Sequence, residues 1–195
     1  LYEDKLGKMS LPSPNLLGDF QIGNISTAIA AVRNLDQFKI KNSHIKKAII
    51  KIRSEGRLQK IKKGKLRNFV SKNNEILIDG AHNPLAASVV SKYLEKLNSG
   101  KKIVMLLGMM SNKDHKEFIQ IFKNKVHSII ALNIPNQENF IDKSELTKIA
   151  KSFGIPSRAE DSIQSAFENV AKENSDAIIF CTGSLYFAGE ILNLN

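Results

Sequence analysis

The sequence predicts an α/β fold: a mostly parallel sheet with helices covering both faces. Three observations carry this. Short apolar runs such as Ile76-Leu77-Ile78 and Ala177–Cys181 lack the in–out alternation of a half-exposed strand, so they read as strands buried on both sides. Helical stretches of about 10–15 residues separate the runs, the spacing of strand–helix–strand units. Polar, glycine-containing loops lead from several of the runs straight into the next helix.

Taken in order, residues 1–23 show little periodicity, and Leu11-Pro12-Ser13-Pro14 with Gly18 marks a loop-like lead-in. From Asn24, which reads as an N-cap, Ile25, Ala28, Ile29, Val32 and Leu35 fall on one helical face. Ser43 is placed to cap a second helix with Ile45, Ala48, Ile49 and Ile52 inward and Lys46, Lys47, Lys51 and Arg53 outward. Two helices bury too little for a core, so residues 1–54 are expected to be the tail of a larger domain, with residues 55–195 forming another. Beyond Gly56, Leu58–Lys62 alternates like a strand, and Gly64 marks a turn before Leu66–Val70, the second arm of a hairpin. Ile76–Ile78 is a buried strand, and Pro84 suits the first turn of a helix running to about Asn98.

The strand Ile103–Leu107 comes next, then a helix through Phe118, Ile121 and Phe122, then the strand Ser128–Leu132. Ser144 reads as the cap of a helix with Leu146, Ile149 and Phe153, which Gly154 ends. A helix with Ile163, Ala166, Phe167 and Val170 precedes the strand Ala177–Cys181, and Ser184–Leu192 is the last helix.

Composition narrows the function. With 195 residues, 42% hydrophobic and 25% charged, the balance is that of a globular chain rather than a disordered one. No apolar run reaches the roughly 18–20 residues a membrane helix needs. One cysteine, Cys181, excludes an internal disulfide framework and fits a reducing cytoplasm. The net charge of +10 invites a nucleic-acid reading. The charge is local, however: residues 39–72 are dense in Lys and Arg with Glu55 their only carboxylate, and the rest of the chain is close to neutral. Only Phe38 and Phe69 flank that band, so it lacks the interleaved aromatics that stack on bases, and no specific nucleic-acid binding is expected.

Three polar loops follow predicted strands: Asp79-Gly80-Ala81-His82-Asn83-Pro84, Gly108 through Asp114, and Thr182-Gly183-Ser184. Open α/β sheets bind ligands at the carboxyl ends of their strands, where glycine lets the backbone approach and helix N–H groups favour anions. The chain has no phosphate-binding G-x-x-x-x-G-K-[ST] segment and no G-x-G-x-x-G. His44, His82, His115 and His127 lack metal-ligand spacing, and Cys181, on an apolar strand, reads as a small buried hydrophobe.

The segment Leu77-Ile78-Asp79-Gly80-Ala81-His82-Asn83-Pro84 resembles the signature of the folylpolyglutamate synthase / dihydrofolate synthase family, which belongs with the Mur ligases. Four further segments agree in order: Gly18–Asn24 with Thr27–Ala31, Gly56-Arg57-Leu58-Gln59, Gly108 through Lys113-Asp114, and Thr182-Gly183-Ser184-Leu185-Tyr186. One departure is Phe20, where the family usually has histidine. The resemblance implies a cytoplasmic, monomeric, ATP-dependent ligase that activates a folate or dihydropteroate carboxylate as an acyl phosphate and joins it to L-glutamate. It implies two lobes, of which this chain matches the end of the first and all of the second, a Rossmann-like Mur ligase C-terminal domain. The phosphate-binding loop and the Mg2+ ligands are expected in the part the chain does not match, so the chain alone is expected to be inactive. A ligase for cell-wall precursors and a basic nucleic-acid-binding module remain the alternatives.

Roles follow from the resemblance position by position, each beside a plainer one. Asn24 matches a residue contacting adenine, and it also reads as a helix cap. Arg57 matches an arginine reaching the nucleotide from the hinge, or is one more solvated charge. Asp79 matches the acceptor of the ribose hydroxyls, or a structural cap. His82 matches a catalytic histidine near the phosphates, or bonds its own backbone. Lys113 and Ser184 match glutamate-binding residues, or are a helix-start lysine and an N-cap.

Overall fold

The computed structural model describes residues 1–97 and 100–195, and its order of elements follows the apolar pattern of the chain. The chain divides into two units, Leu1–Glu55 and Gly56–Asn195. Among the described residues, no helix is long and apolar enough to cross a membrane.

The first unit opens on a hairpin of β1 (Tyr2–Asp4) and β2 (Gly7–Met9), followed by α1 (Phe20–Arg33) and α2 (Asn42–Lys51). Tyr2, Met9, Ile29, Ile45 and Ile49 form its small core. The lead-in expected at residues 1–23 therefore contains a hairpin. Its strands are three residues each, too short for alternation to register. Asn24 is not a cap either. Asp19 holds the N-cap position, and Asn24 lies one turn inside α1, its amide donating to Gln21 Oε1 at 3.0 Å. The second helix begins before Ser43: Lys41 is its N-cap, and the Lys41 N–H donates to His44 Nδ1 at 3.4 Å.

The second unit is built on a six-stranded sheet of order β3-β4-β8-β5-β6-β7. Its strands are β3 (Gln59–Ile61), β4 (Glu75–Ile78), β5 (Lys102–Leu107), β6 (Ser128–Ala131), β7 (Ser157–Ala159) and β8 (Ala177–Thr182). Edge strand β3 runs antiparallel to β4, with Lys60 opposite Leu77, and the other pairings are parallel. Helices α3 (Pro84–Lys96), α4 (His115–Ile121), α5 (Lys143–Ser152), α6 (Ile163–Glu173) and α7 (Leu185–Asn193) cross over or follow these strands.

Alternate residues of each central strand go to opposite faces. Ile76, Ile78, Val104, Leu106, Ile179 and Cys181 share one cluster with Phe167 of α6 and Phe187 of α7. Phe180, between Ile179 and Cys181, points the other way and meets the Phe122 ring at 6.0 Å. Both faces are thus covered, as the unbroken apolar runs require. Cys181 is fully buried, and burial pushes its thiol well up, so it acts as a core hydrophobe.

Several local expectations change. Leu66–Val70 is not a hairpin arm: Lys65–Phe69 forms a 3-10 turn, and β3 pairs with β4 instead. Leu66 is fully buried in the core cluster, which a turn projecting one side chain inward satisfies as well as a strand. The cap of α5 is Asp142, whose Oδ1 accepts from the Ser144 N–H at 2.8 Å. Carboxylates suit this position because they also face the positive helix end. Strand β7 is additional; with the charged sequence Ser157-Arg158-Ala159 at the sheet edge, it gives no apolar signal. Pro84 does begin α3, with Asn83 as its cap; the end expected at Asn98 lies outside the described residues.

Candidate functional site

The strands that carry the three polar loops, β4, β8 and β5, are neighbours at the centre of the sheet. Their carboxyl ends are stitched together by backbone bonds. Asp79 N–H donates to Cys181 O at 2.9 Å, Gly183 N–H to Ala81 O at 2.9 Å, and Gly108 N–H to Thr182 O at 3.2 Å. Three segments far apart in sequence thereby become one rim, at the place where chain order reverses. Close approach there depends on glycine: a Cβ on Gly183 would stand 2.5 Å from the Gly108 carbonyl oxygen, and Gly183 has φ of +111°.

Asp79 anchors the rim. Its Oδ2 accepts from Leu58 N–H and its Oδ1 from Ala81 N–H, both at 2.8 Å, and the residue is only 3% exposed. Burial raises the carboxyl above its ordinary value, against the lowering pull of those two amides and of the Arg57 and His82 charges. The bond to Leu58 fixes the segment that enters the unit. There Gly56 has φ of +65° and Leu58 +47°, the Gly56 carbonyl accepts from Gly80 N–H at 2.7 Å, and Gln59 Oε1 accepts from Gly56 N–H at 2.9 Å. Arg57 is therefore held on a fixed turn beside Asp79, with its side chain half-buried.

His82 Nδ1 lies 3.0 Å from the Gly80 carbonyl. A carbonyl only accepts, so Nδ1 carries the hydrogen, and Nε2 has no hydrogen bond among the described residues. Ser184 is 2% exposed and caps α7, its Oγ accepting from Tyr186 N–H at 3.1 Å. The plainer roles anticipated for His82 and Ser184 are thus observed, and both side chains sit on the rim.

Lys113 stands apart from this group. Its loop turns toward the segment after β6, through Ser111 N–H to Asn139 O at 2.8 Å and Ile141 N–H to Met109 O at 3.0 Å. Among the described residues no hydrogen bond or ion pair of the Lys113 side chain joins it to Asp79, His82 or Ser184. Asn24 belongs to the first unit. The second unit therefore brings together Arg57, Asp79, His82 and Ser184, and leaves Lys113 on a neighbouring loop.

The sequence reading missed the backbone partners: the Leu58 amide, the Gly56 carbonyl and the Gln59 side chain that closes the turn. A glycine-led turn ahead of a two-residue polar–apolar step was the available signal. Among the described residues no group of three or more His, Cys, Asp or Glu is arranged to hold a metal ion.

A doubly wound sheet with glycine loops meeting at its point of reversal, beside Arg57 and two helix starts, defines an α/β lobe of the open-sheet class. Comparison with known proteins is specific. The chain belongs to the dihydrofolate synthetase C-terminal domain family, whose model matches residues 60–194. It is 31% identical over 174 residues to the dihydrofolate synthase/folylpolyglutamate synthase of Buchnera aphidicola, covering 87% of this chain and 39% of that protein. The solved structure of Escherichia coli FolC in complex with DHPP and ADP superposes with a TM-score of 0.80 at 20% identity, covering 98% of this chain and 42% of that one. A bifunctional folylpolyglutamate synthase/dihydrofolate synthase solved with Mn, AMPPNP and L-glutamate bound gives 0.75 at 17% identity, covering 95% and 41%. The likeness to these two structures establishes the fold, the Rossmann-like lobe. The chain spans about two fifths of the length of the relatives it matches.

Proposed function

We propose that this chain is the carboxyl-terminal part of a cytoplasmic, monomeric, ATP-dependent ligase that adds L-glutamate to folate or dihydropteroate. In that reaction the γ-phosphoryl group of ATP passes to the substrate carboxylate, giving an acyl phosphate and ADP. The glutamate amine then attacks the acyl carbon and phosphate leaves. The observation that carries the reading is the rim itself, Arg57, Asp79, His82 and Ser184 gathered where β4, β8 and β5 end.

Arg57 supplies a guanidinium for the nucleotide phosphates or a stacked ring. Asp79 organises the loop, and the remaining lone pairs of its carboxylate serve the ribose hydroxyls. His82 reaches a phosphate oxygen with Nε2; with Nδ1–H committed to Gly80 O, donation from Nε2 requires the imidazolium form. Ser184 at the start of α7 receives the glutamate carboxylate with Lys113 contributing charge, and Asn24 of the first unit contacts adenine. An acyl phosphate hydrolyses in water, so a lobe that excludes solvent from the reaction has a direct physical role. Metal ions act in such a reaction by neutralising phosphate charge; with no fitting cluster among the described residues, no step of this chain is assigned to Mg2+, whose ligands belong to the rest of the ligase.

The first unit is read as the tail of the larger lobe. Its α1 carries no charge from Phe20 to Val32, and Ile22, Phe38 and Ile50 lie exposed, an apolar surface suited to packing against more protein. The isolated 195-residue chain is therefore expected to form no ADP from ATP with glutamate and dihydropteroate or folate, whereas the chain joined to its upstream coding sequence does. An ADP-coupled assay on both proteins checks this. Turnover by the short chain overturns the division of labour, and no glutamate incorporation by the long one overturns the ligase reading.

A further inference from the structure

The opposite edge of the same sheet carries a second polar cleft. Strand β3 ends and β4 begins there, so the cleft lies at the far end of the two strands that hold Leu58 and Asp79. Its volume is about 410 Å³, and it is lined by Lys60, Lys62, Arg67, Lys72 and Lys101 with Glu75 as the single carboxylate. Four of the five cations come from the basic band of residues 39–72.

The cleft is built rather than incidental. Arg67 donates through Nη1 to Asn74 O at 2.8 Å and through Nη2 to Ser71 O at 3.0 Å and Lys72 O at 3.1 Å, fixing the wall that carries Lys72. Asn74 is 2% exposed; its amide donates to Asn174 O at 2.8 Å and Ala177 O at 3.2 Å, tying that wall to the start of β8. Glu75 is bracketed by Lys60 and by Lys101 at 3.3 Å, and the hydrogen bond from Lys60 holds its carboxyl below the ordinary value. Lys101 is further paired with Asp176 at 2.8 Å. Those contacts use the carboxylates on Lys60 and Lys101. Lys62 and Lys72 line the cleft, are exposed, and have no ion pair among the described residues.

We infer that this cleft is a binding site for a compact, multiply charged phosphate anion, separate from the nucleotide rim. Its volume is in the range of small-ligand sites. Its walls offer one apolar side chain, Ile61, and no aromatic, so it reads charge rather than a base or ring. Lysine ammoniums are point charges that suit phosphate oxygens from several directions, while Arg67, its guanidinium committed to three carbonyls, adds fixed positive potential.

The test is calorimetric titration of the 195-residue chain with inorganic tripolyphosphate. Saturable binding of one anion per chain is expected, weakened about tenfold or more by the double variant Lys62→Glu/Lys72→Glu. One control bears on location: Lys47→Glu/Lys51→Glu, in the same basic band but outside the cleft, leaves the affinity unchanged, while Arg57→Ala reports any anion held on the nucleotide rim. Thermal melts establish that the variants fold; the substituted lysines are exposed. Absence of saturable binding overturns the proposal, as does equal weakening by both lysine pairs, which would mark diffuse attraction. Loss in Arg57→Ala with retention in Lys62→Glu/Lys72→Glu would place the anion on the nucleotide rim and equally overturn it.

Discussion

Gly183→Ala is expected to destabilise the Gly56–Asn195 unit by about 3 kcal/mol, a drop of roughly 10 °C in Tm. Two costs coincide there. A φ of +111° is strained for any residue with a Cβ, and the added carbon would lie 2.5 Å from the Gly108 carbonyl oxygen and 2.8 Å from Leu107 Cδ1 and Met109 Cγ. The nearest of these is backbone, fixed by the bond from Gly108 N–H to Thr182 O, so it cannot rotate aside. Gly80 makes the useful contrast. A Cβ there would collide with the end of Leu185, a side chain 46% exposed and able to turn into solvent. Chemical denaturation of the variant checks the first expectation, and a loss below about 1 kcal/mol would mean the rim has slack that its geometry denies.

Asp79→Ala is expected to cost a comparable amount, about 3 kcal/mol, because it strands two buried donors at once, the amides of Leu58 and Ala81. The pH dependence carries a distinct sign. Since burial raises the folded carboxyl above its ordinary 3.8, the native state binds the proton more tightly than the unfolded chain. The contribution of Asp79 to stability is thus fully present below that ordinary value. It falls as pH climbs through the window up to the raised folded value, and is constant above it. Glu75, Asp142 and Asp161 are shifted the other way, and their contributions are lost as pH falls. The informative quantity is therefore the difference between the wild type and Asp79→Asn in urea midpoints from acid to neutral pH. The wild-type advantage shrinks as pH rises through the window; a difference independent of pH would show that Asp79 is not perturbed by burial.

Much of this arrangement was legible in the chain. Ile76–Ile78, Ile103–Leu107 and Ala177–Cys181 announce doubly buried strands because every position is apolar, and the glycine loops after them coincide with the carboxyl rim. What escaped notice shares a physical cause. The β1–β2 hairpin and β7 are three-residue strands, in which backbone pairing rather than a buried face defines the element. Leu66–Val70 looks apolar enough for a strand, yet Leu66 alone is fully buried, with Phe69 and Val70 packed partly buried against the core. At the site, side chains such as Asp79 and His82 are visible as letters, whereas their partners are main-chain groups of Leu58, Gly56, Ala81 and Gly80. Those come from a fold, not from residue type. Ser144 illustrates the same point: a good cap by chemistry, it is displaced by Asp142 two residues earlier.

The proposed ligase stands most directly on Arg57, the residue of the basic band whose charge acts on Asp79 and whose neighbour Leu58 is bonded to that carboxylate. Steady-state kinetics of the full-length protein carrying Arg57→Ala, with ATP and the pteridine substrate varied in turn, tests that claim. The KM for ATP is expected to rise about tenfold or more while that for folate or dihydropteroate stays within about twofold, the loss of a charged contact to nucleotide alone. An unchanged KM for ATP, with the variant folded and active, would contradict the assignment of this rim to ATP.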